Sequence, residues 1–212
     1  MTDEHYTLFY FHFRGRAEAI RMILHANDVH FEDVRFSMNE WPERRNQIPG
    51  SRVPLLQVKK TKTQEVANYV ESMAIARMLA KRFNMMGDSE EEYYKVERMV
   101  GECADLDKEF YTAFFAAADQ KEEMLKKSMR EAVPKMLDLI SKSISESGGK
   151  FVAGDKVTLG DICLLTSMDH VRKHDPEFLG KHYPKLLALE QEVLKAKPKL
   201  AEYIRTRPET PL

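Results

Sequence analysis

Tyr10 stands near the end of an aromatic stretch, TLFYFHF, that runs directly into Arg14-Gly15-Arg16. A phenol beside two guanidinium groups can donate a hydrogen bond to an anion that develops nearby. With an ordinary pKa of about 10 it remains a donor at neutral pH, so it can hold a thiolate without surrendering its own proton. A lone tyrosine in a strand is ordinarily core, and the cationic turn beside it is what gives this one chemistry.

Three further groups of residues suit the recognition of an extended, anionic ligand. Pro54, in SRVPLLQV, sits at the mouth of an apolar run, where it either starts an edge strand in the trans form or makes a cis turn. A cis turn would leave the Val53 backbone free to pair with an extended peptide. Glu71-Ser72 opens a helical pattern, VESMAIAR, whose free N–H groups favour a carboxylate that the Ser72 hydroxyl can also reach. Trp41, Arg45 and Arg52 add an indole donor and two cations able to grip a second carboxylate.

Other conspicuous residues read as structure. Thr158 and Asp161, flanked by Val157 and Ile162, have the spacing of a capping box with a hydrophobic staple, a folding signal with no catalytic role. His170 and His174 lie one helical turn apart, but no carboxylate-rich partner motif accompanies them, so they read as an ordinary exposed pair and not as metal ligands. Cys103 and Cys163 have neither metal spacing nor a CxxC partner, which fits reduced, buried thiols and excludes dithiol redox chemistry.

The elements that must position these groups fall into two texts. Strand-like and helix-like segments alternate over residues 1–83: a strand at 6–13, an amphipathic helix at 16–28, a strand in VHFEDVRF, a polar segment around Trp41-Pro42, a hairpin from VPLLQV and EVANYV, and a helix in ESMAIARMLAKRF. The order βαβαββα predicts a parallel pair from the first half and an antiparallel pair from the second, the layout of a thioredoxin-like domain. A linker is expected at 84–88, where Gly87, Asp88 and Ser89 supply turn and cap chemistry. Residues 89–212 then read as helices almost throughout, with long patterns in 90–115 and 119–144 and shorter ones near 158–173, 184–195 and 198–205.

Composition narrows the function. The 212 residues can bury a core without disulfides, and their formal net charge of -1, from 32% charged residues, lacks the basic footprint of a nucleic-acid binder. No apolar run approaches the roughly 18 residues that span a bilayer, and MTDEHY is not a signal peptide, so a cytoplasmic protein with no membrane or nucleic-acid partner is expected.

Together, FYFHFRGRAEAIR, EWPERR, IPGSRVPLLQV, VESMAIARMLA, MMGDSEEEYYKVE, the TLGD segment and the terminal RPETPL resemble a sigma-class glutathione transferase of the 28 kDa kind found in trematode flatworms. The resemblance covers essentially the whole chain. It implies a thioredoxin-like domain that binds glutathione as co-substrate without a required metal, an all-helical domain that forms most of a pocket for small hydrophobic electrophiles, and a homodimer.

By matching position, Tyr10 would donate to the glutathione sulfur, with Arg16 near the thiolate and Phe11 beside it. Trp41, Arg45 and Arg52 would hold the glycyl end, Val53 the cysteinyl backbone across a cis-Pro54, and Glu71 with Ser72 the γ-glutamyl end. Asp105 would reach the γ-glutamyl amine across the dimer. Phe11, Phe13, Phe110, Tyr111 and Leu212 would wall the pocket. Arg45 departs from the usual lysine and Glu71 from a frequent glutamine. The implied reaction is attack of the glutathione thiolate on electrophiles or peroxides, with isomerisation of prostaglandin H2 to D2 as a related activity. The alternative is a glutathione-binding or crystallin-like structural protein with little activity.

Overall fold

The computed structural model describes residues 4–210. The chain divides into two compact units, one built from residues 4–83 together with 198–210, the other from Asn84–Lys197.

In the first unit the strand β1 (Glu4–Phe11) is followed by a 3-10 turn at Gly15–Ala17, helix α1 (Glu18–Ala26) and strand β2 (Phe31–Phe36). A short helix α2 (Trp41–Arg44), strands β3 (Leu55–Lys60) and β4 (Val66–Val70) and helix α3 (Ser72–Arg82) complete the run, and helix α9 (Pro198–Thr206) packs back on α1. The sheet order is β2-β1-β3-β4, with β1 parallel to β2 and antiparallel to β3, and β3 antiparallel to β4. The expected mixed sheet is therefore present, although the sequence pattern alone grouped the 198–205 helix with the helical half of the chain. Leu200 and Tyr203 are the apolar side chains that α9 buries.

Side-chain alternation sorts β1 by face. Tyr6, Leu8 and Tyr10 are buried on one side, while Phe9 and Phe11 pack on a cluster of Phe36, Ile48 and Leu55 together with Trp41, Val53 and Val70. The aromatic stretch thus supplies both faces of one central strand, as a strand covered on both sides requires.

The second unit is helical: α4 (Glu90–Phe115), α5 (Lys121–Ser147), α6 (Leu159–His174), α7 (Phe178–His182) and α8 (Pro184–Ala196). Val96, Met99, Val100, Cys103, Leu106 and Phe110 form the buried stripe of α4, at the spacing of an amphipathic helix. α6 is buried almost all round at its start, from Leu159 to Leu165. Its first turn is closed by the expected capping box, in which the Thr158 N–H and hydroxyl both donate to Asp161 Oδ2 at 2.8 Å. Among the described residues no helix is long and apolar enough to cross a membrane.

Candidate functional site

Tyr10 lies next to the last residue of β1, opposite Arg35 of β2, and is only 7% exposed. Beyond Phe11 the chain leaves the sheet and doubles into the Gly15–Ala17 turn, with Gly15 at φ +40°. A Cβ at Gly15 would lie 3.1 Å from the Tyr10 hydroxyl, so glycine there lets the backbone close over the phenol. The Arg16 N–H then donates to the Tyr10 hydroxyl oxygen at 3.2 Å.

That bond occupies an acceptor site of the hydroxyl and leaves its proton free, with no acceptor among the described residues. Burial pushes the Tyr10 pKa above the ordinary value, against the Arg16 N–H bond and the charges of Arg16 and Arg21. The phenol is therefore a neutral donor held in a fixed position. Arg16 itself is exposed beside it.

The other candidates in this unit lie on a second set of elements. Trp41 stacks on Phe36 (6.0 Å between ring centroids, 3° between planes) and meets Phe11 edge-on at 5.5 Å. Arg45 is exposed one turn later and bonds through its N–H to the Trp41 carbonyl at 2.8 Å. The Val53–Pro54 bond is cis, which decides between the two readings of that proline, and the Val53 backbone has no hydrogen-bond partner among the described residues. Arg52 Nη1 donates to Glu71 Oε1 at 3.1 Å, with both side chains 69% exposed.

Glu71 has φ +71° and ψ 105°, a conformation that costs free energy in any residue but glycine and clusters at functional sites. It precedes Ser72, the first residue of the 11-residue α3, so the hydroxyl stands at the open N–H groups of that helix. Phe11, Trp41 and Val53 share one apolar cluster, and Arg52, Glu71 and Ser72 are contiguous in chain or in contact.

The remaining candidates are placed differently. Phe13 is half-buried, its ring 6.3 Å from that of Phe11. In the helical unit Asp105 is exposed on α4, and Tyr111 meets His170 edge-on at 5.4 Å. Phe110 is 2% exposed because His170 and His174 stack on it at 5.6 and 5.5 Å, so packing leaves it almost no surface for a ligand. His170 is buried, not exposed as its helical spacing suggested. Leu212 lies outside the described residues. Among the described residues no three His, Cys, Asp or Glu side chains converge on a metal position.

A cluster that the sequence reading did not single out lies under the Tyr10 turn. Arg21, 0% exposed, donates through Nε to Asp33 at 3.0 Å and through Nη1 to Glu18 at 3.2 Å and to the Phe13 and Arg14 carbonyls at 2.9 and 3.3 Å. The available signal was an arginine inside the apolar stripe Ala17, Ile20, Arg21, Leu24, where a cation must find buried partners.

Residues 6–81 match the glutathione S-transferase N-terminal domain family and residues 104–207 the C-terminal domain family. The glutathione S-transferase class-mu 28 kDa isozyme of Schistosoma haematobium is 42% identical over 100% of both chains. Among solved structures, a Fasciola hepatica sigma class GST is similar at 44% identity with a TM-score of 0.91, covering 99% of this chain and 100% of that one. A structure of prostaglandin synthase D of Nilaparvata lugens is similar at 28% identity with a TM-score of 0.83, covering 97% and 100%.

Proposed function

This chain belongs to the glutathione S-transferase family, and from that premise we propose that it is a sigma-class enzyme which activates glutathione as a thiolate for attack on small hydrophobic electrophiles. The observation that carries the reading is the Tyr10 hydroxyl, whose acceptor side is taken by the Arg16 N–H and whose proton is free to point at a sulfur. The sigma assignment follows the 44% identity to the Fasciola hepatica structure.

In the proposed reaction Tyr10 donates its O–H to the glutathione sulfur while the thiol proton leaves to water, and Arg16 adds positive potential at the same place. A free thiol with pKa near 8.5 is mostly protonated at pH 7, and each unit of lowering favours the thiolate by about 1.4 kcal/mol. The sulfur then attacks the electrophilic carbon directly, so that with an aromatic halide the C–S bond forms, the carbon–halogen bond breaks and halide leaves to water, catalysis coming from an activated nucleophile held near its target.

Val53, beside cis-Pro54, offers its unpaired backbone to the cysteinyl unit. Trp41, Arg45 and Arg52 hold the glycyl carboxylate, and Glu71 with Ser72 takes the γ-glutamyl end at the N-terminus of α3. In a homodimer the exposed Asp105 of one copy reaches the γ-glutamyl amine of glutathione on the other. Phe11, Phe13, Tyr111 and Leu212 are the residues proposed as apolar wall for the electrophile. No metal enters the chemistry. A cytoplasmic location suits the buried Cys103 and Cys163, which form no disulfide among the described residues.

The likeness to prostaglandin synthase D of Nilaparvata lugens supports endoperoxide isomerisation as a second activity of the same site. Turnover of prostaglandin H2 no faster than without protein, alongside active conjugation of an aromatic halide, would remove that activity.

The decisive test is a pH titration of the bound glutathione thiol by thiolate ultraviolet absorbance, in the native protein and in Tyr10→Phe. The thiol is expected to ionise one to two units below free glutathione, a shift within the range that a nearby opposite charge produces. In Tyr10→Phe most of the shift disappears and kcat falls about 100-fold. A bound thiol that titrates as it does in water overturns the proposal.

A further inference from the structure

His170 is a polar ring at a buried position of α6, among Leu165, Met168 and Val171, where an aliphatic side chain would suit the apolar core. A buried imidazole needs company for its nitrogens, and α4 supplies it. His170 Nε2 lies 4.0 Å from Asp107 Oδ1, with the two side chains 9% and 19% exposed. That oxygen is shut off from solvent and has no hydrogen-bond partner among the described residues.

The same imidazole touches α4 again one turn further on. Phe110 stacks on it at 5.6 Å between ring centroids and 23° between planes, and Tyr111 meets it edge-on at 5.4 Å and 72°. Asp107, Phe110 and Tyr111 stand at i, i+3 and i+4, so all three share one face of α4. Phe110 and Tyr111, as successive residues, leave the helix about 100° apart, and a ring that touches both sits in the angle between them. His174 stacks on Phe110 as well, at 5.5 Å and 5°, which fixes Phe110 from α6 a second time.

We propose that His170 is a positioning residue for the electrophile wall: held by Asp107 at its nitrogen edge and by Phe110 at its face, it fixes the Tyr111 ring and so sets how large an electrophile the pocket accepts. The proposal rests on the reading of Tyr111 as part of that wall. Tyr111 is only partly buried, so some of its ring is open to a ligand while another part leans on His170. A ring whose support is fixed keeps one rotamer, and a change of rotamer would carry the whole ring to a new place in the wall. Phenylalanine at 170 would supply a face and an edge but no nitrogen for Asp107, whereas leucine would supply neither the stack nor the nitrogen.

The experiment compares the full-length native protein with His170→Gln and Asp107→Asn. The first removes the imidazole from both aromatic contacts, and the second leaves every ring in place while removing the carboxylate. Conjugation of a one-ring and a two-ring aromatic halide is measured at saturating glutathione. In both variants the ratio of kcat/KM for the two-ring halide to that for the one-ring halide is expected to rise roughly 10-fold, the effect of one altered contact in an apolar pocket. The change falls mainly on KM for the larger halide, because a wall that gives admits the larger ring. KM for glutathione and the titration of its bound thiol stay native, since Tyr10 and the same chain's residues proposed to grip glutathione belong to the first unit. A general loss of structure would move these along with the ratio.

A second readout is independent of turnover. In tyrosine-labelled protein, the Tyr111 ring signals, assigned by their loss in Tyr111→Phe, are expected to shift and broaden in Asp107→Asn as the ring samples a second rotamer. A native halide ratio in either folded variant overturns the proposal and leaves His170 as a core residue. Should His170→Gln fail to fold, Asp107→Asn decides by the same ratio. If the native protein conjugates neither halide, the transferase reading fails, and the Tyr111 signals decide on their own: unchanged in Asp107→Asn, they overturn the positioning role.

Discussion

In the first unit the buried carboxylate of Glu18 faces two guanidinium groups and a phenol, whereas in the second the buried carboxylate of Asp161 faces only neutral donors. Asp161 takes the Val152 N–H at 3.0 Å as well as both groups of Thr158, yet burial still pushes its pKa up to about 6 against those bonds. Asp107, on α4, is pushed up to about 7 by burial, and its Oδ1 has no hydrogen-bond partner among the described residues. Counter-charges hold backbone in place around a reacting group, while neutral donors close a helix end and leave the carboxylate poorly compensated. The first arrangement surrounds the proposed chemistry, and the second organises a core.

Glu18→Ala should give the largest change in this contrast. It removes the carboxylate that faces both buried guanidinium groups, Arg21 and Arg207, and a loss of about 3–5 kcal/mol in unfolding free energy is expected from denaturant titration. A loss under 1 kcal/mol would place Glu18 with the neutral-donor carboxylates, whatever its neighbours.

Asp107 gives an effect that is nearly as large and is set by pH. Its folded pKa of about 7 stands above the ordinary carboxylate value of 3.8, so the folded state binds the extra proton. The stability this contributes is full below pH about 4 and is lost as pH rises through about 7, at up to about 1.4 kcal/mol per unit. His170 Nε2, 4.0 Å away, and the Cys103 thiol, which burial pushes well up, are the titratable groups beside it. Urea titrations at pH 5 and pH 8 should show that slope in the native protein and a flatter one in Asp107→Asn. Equal slopes would mean that the carboxyl stays ionised throughout.

The smallest expected change lies at the start of α4, where Ser89 Oγ accepts the Glu92 N–H at 3.2 Å on the surface. Ser89→Ala should cost about 1 kcal/mol with no dependence on pH between 5 and 8, since neutral cap bonds do not titrate. Measured beside Asp107→Asn, it separates loss of a neutral bond from release of a buried charge.

The sequence made the frame and much of the candidate site legible because both are written locally. Strand alternation in residues 6–13 and 53–58 and the spacing of Thr158 and Asp161 are short-range patterns, and the corresponding strands and cap are present with end shifts of about two residues. What local pattern did not carry was partnership over distance. That α9 packs on α1, that Arg21 finds Asp33 and Glu18, and that His170 stacks on Phe110 all depend on tertiary contacts. The positive φ of Glu71 was equally hidden, because nothing about a glutamate before a helix announces a left-handed backbone.

Glu18 and Tyr203 meet across a separation of 185 residues, and Arg14 meets Thr210 across 196. During synthesis from the N-terminus the sheet and α1 leave the ribosome long before α9 exists, so Glu18 waits with only part of its final company while the whole helical unit is made. Closing the first unit therefore waits until residues 198–210 have been made, and the turn over Tyr10 acquires its second anchor only then.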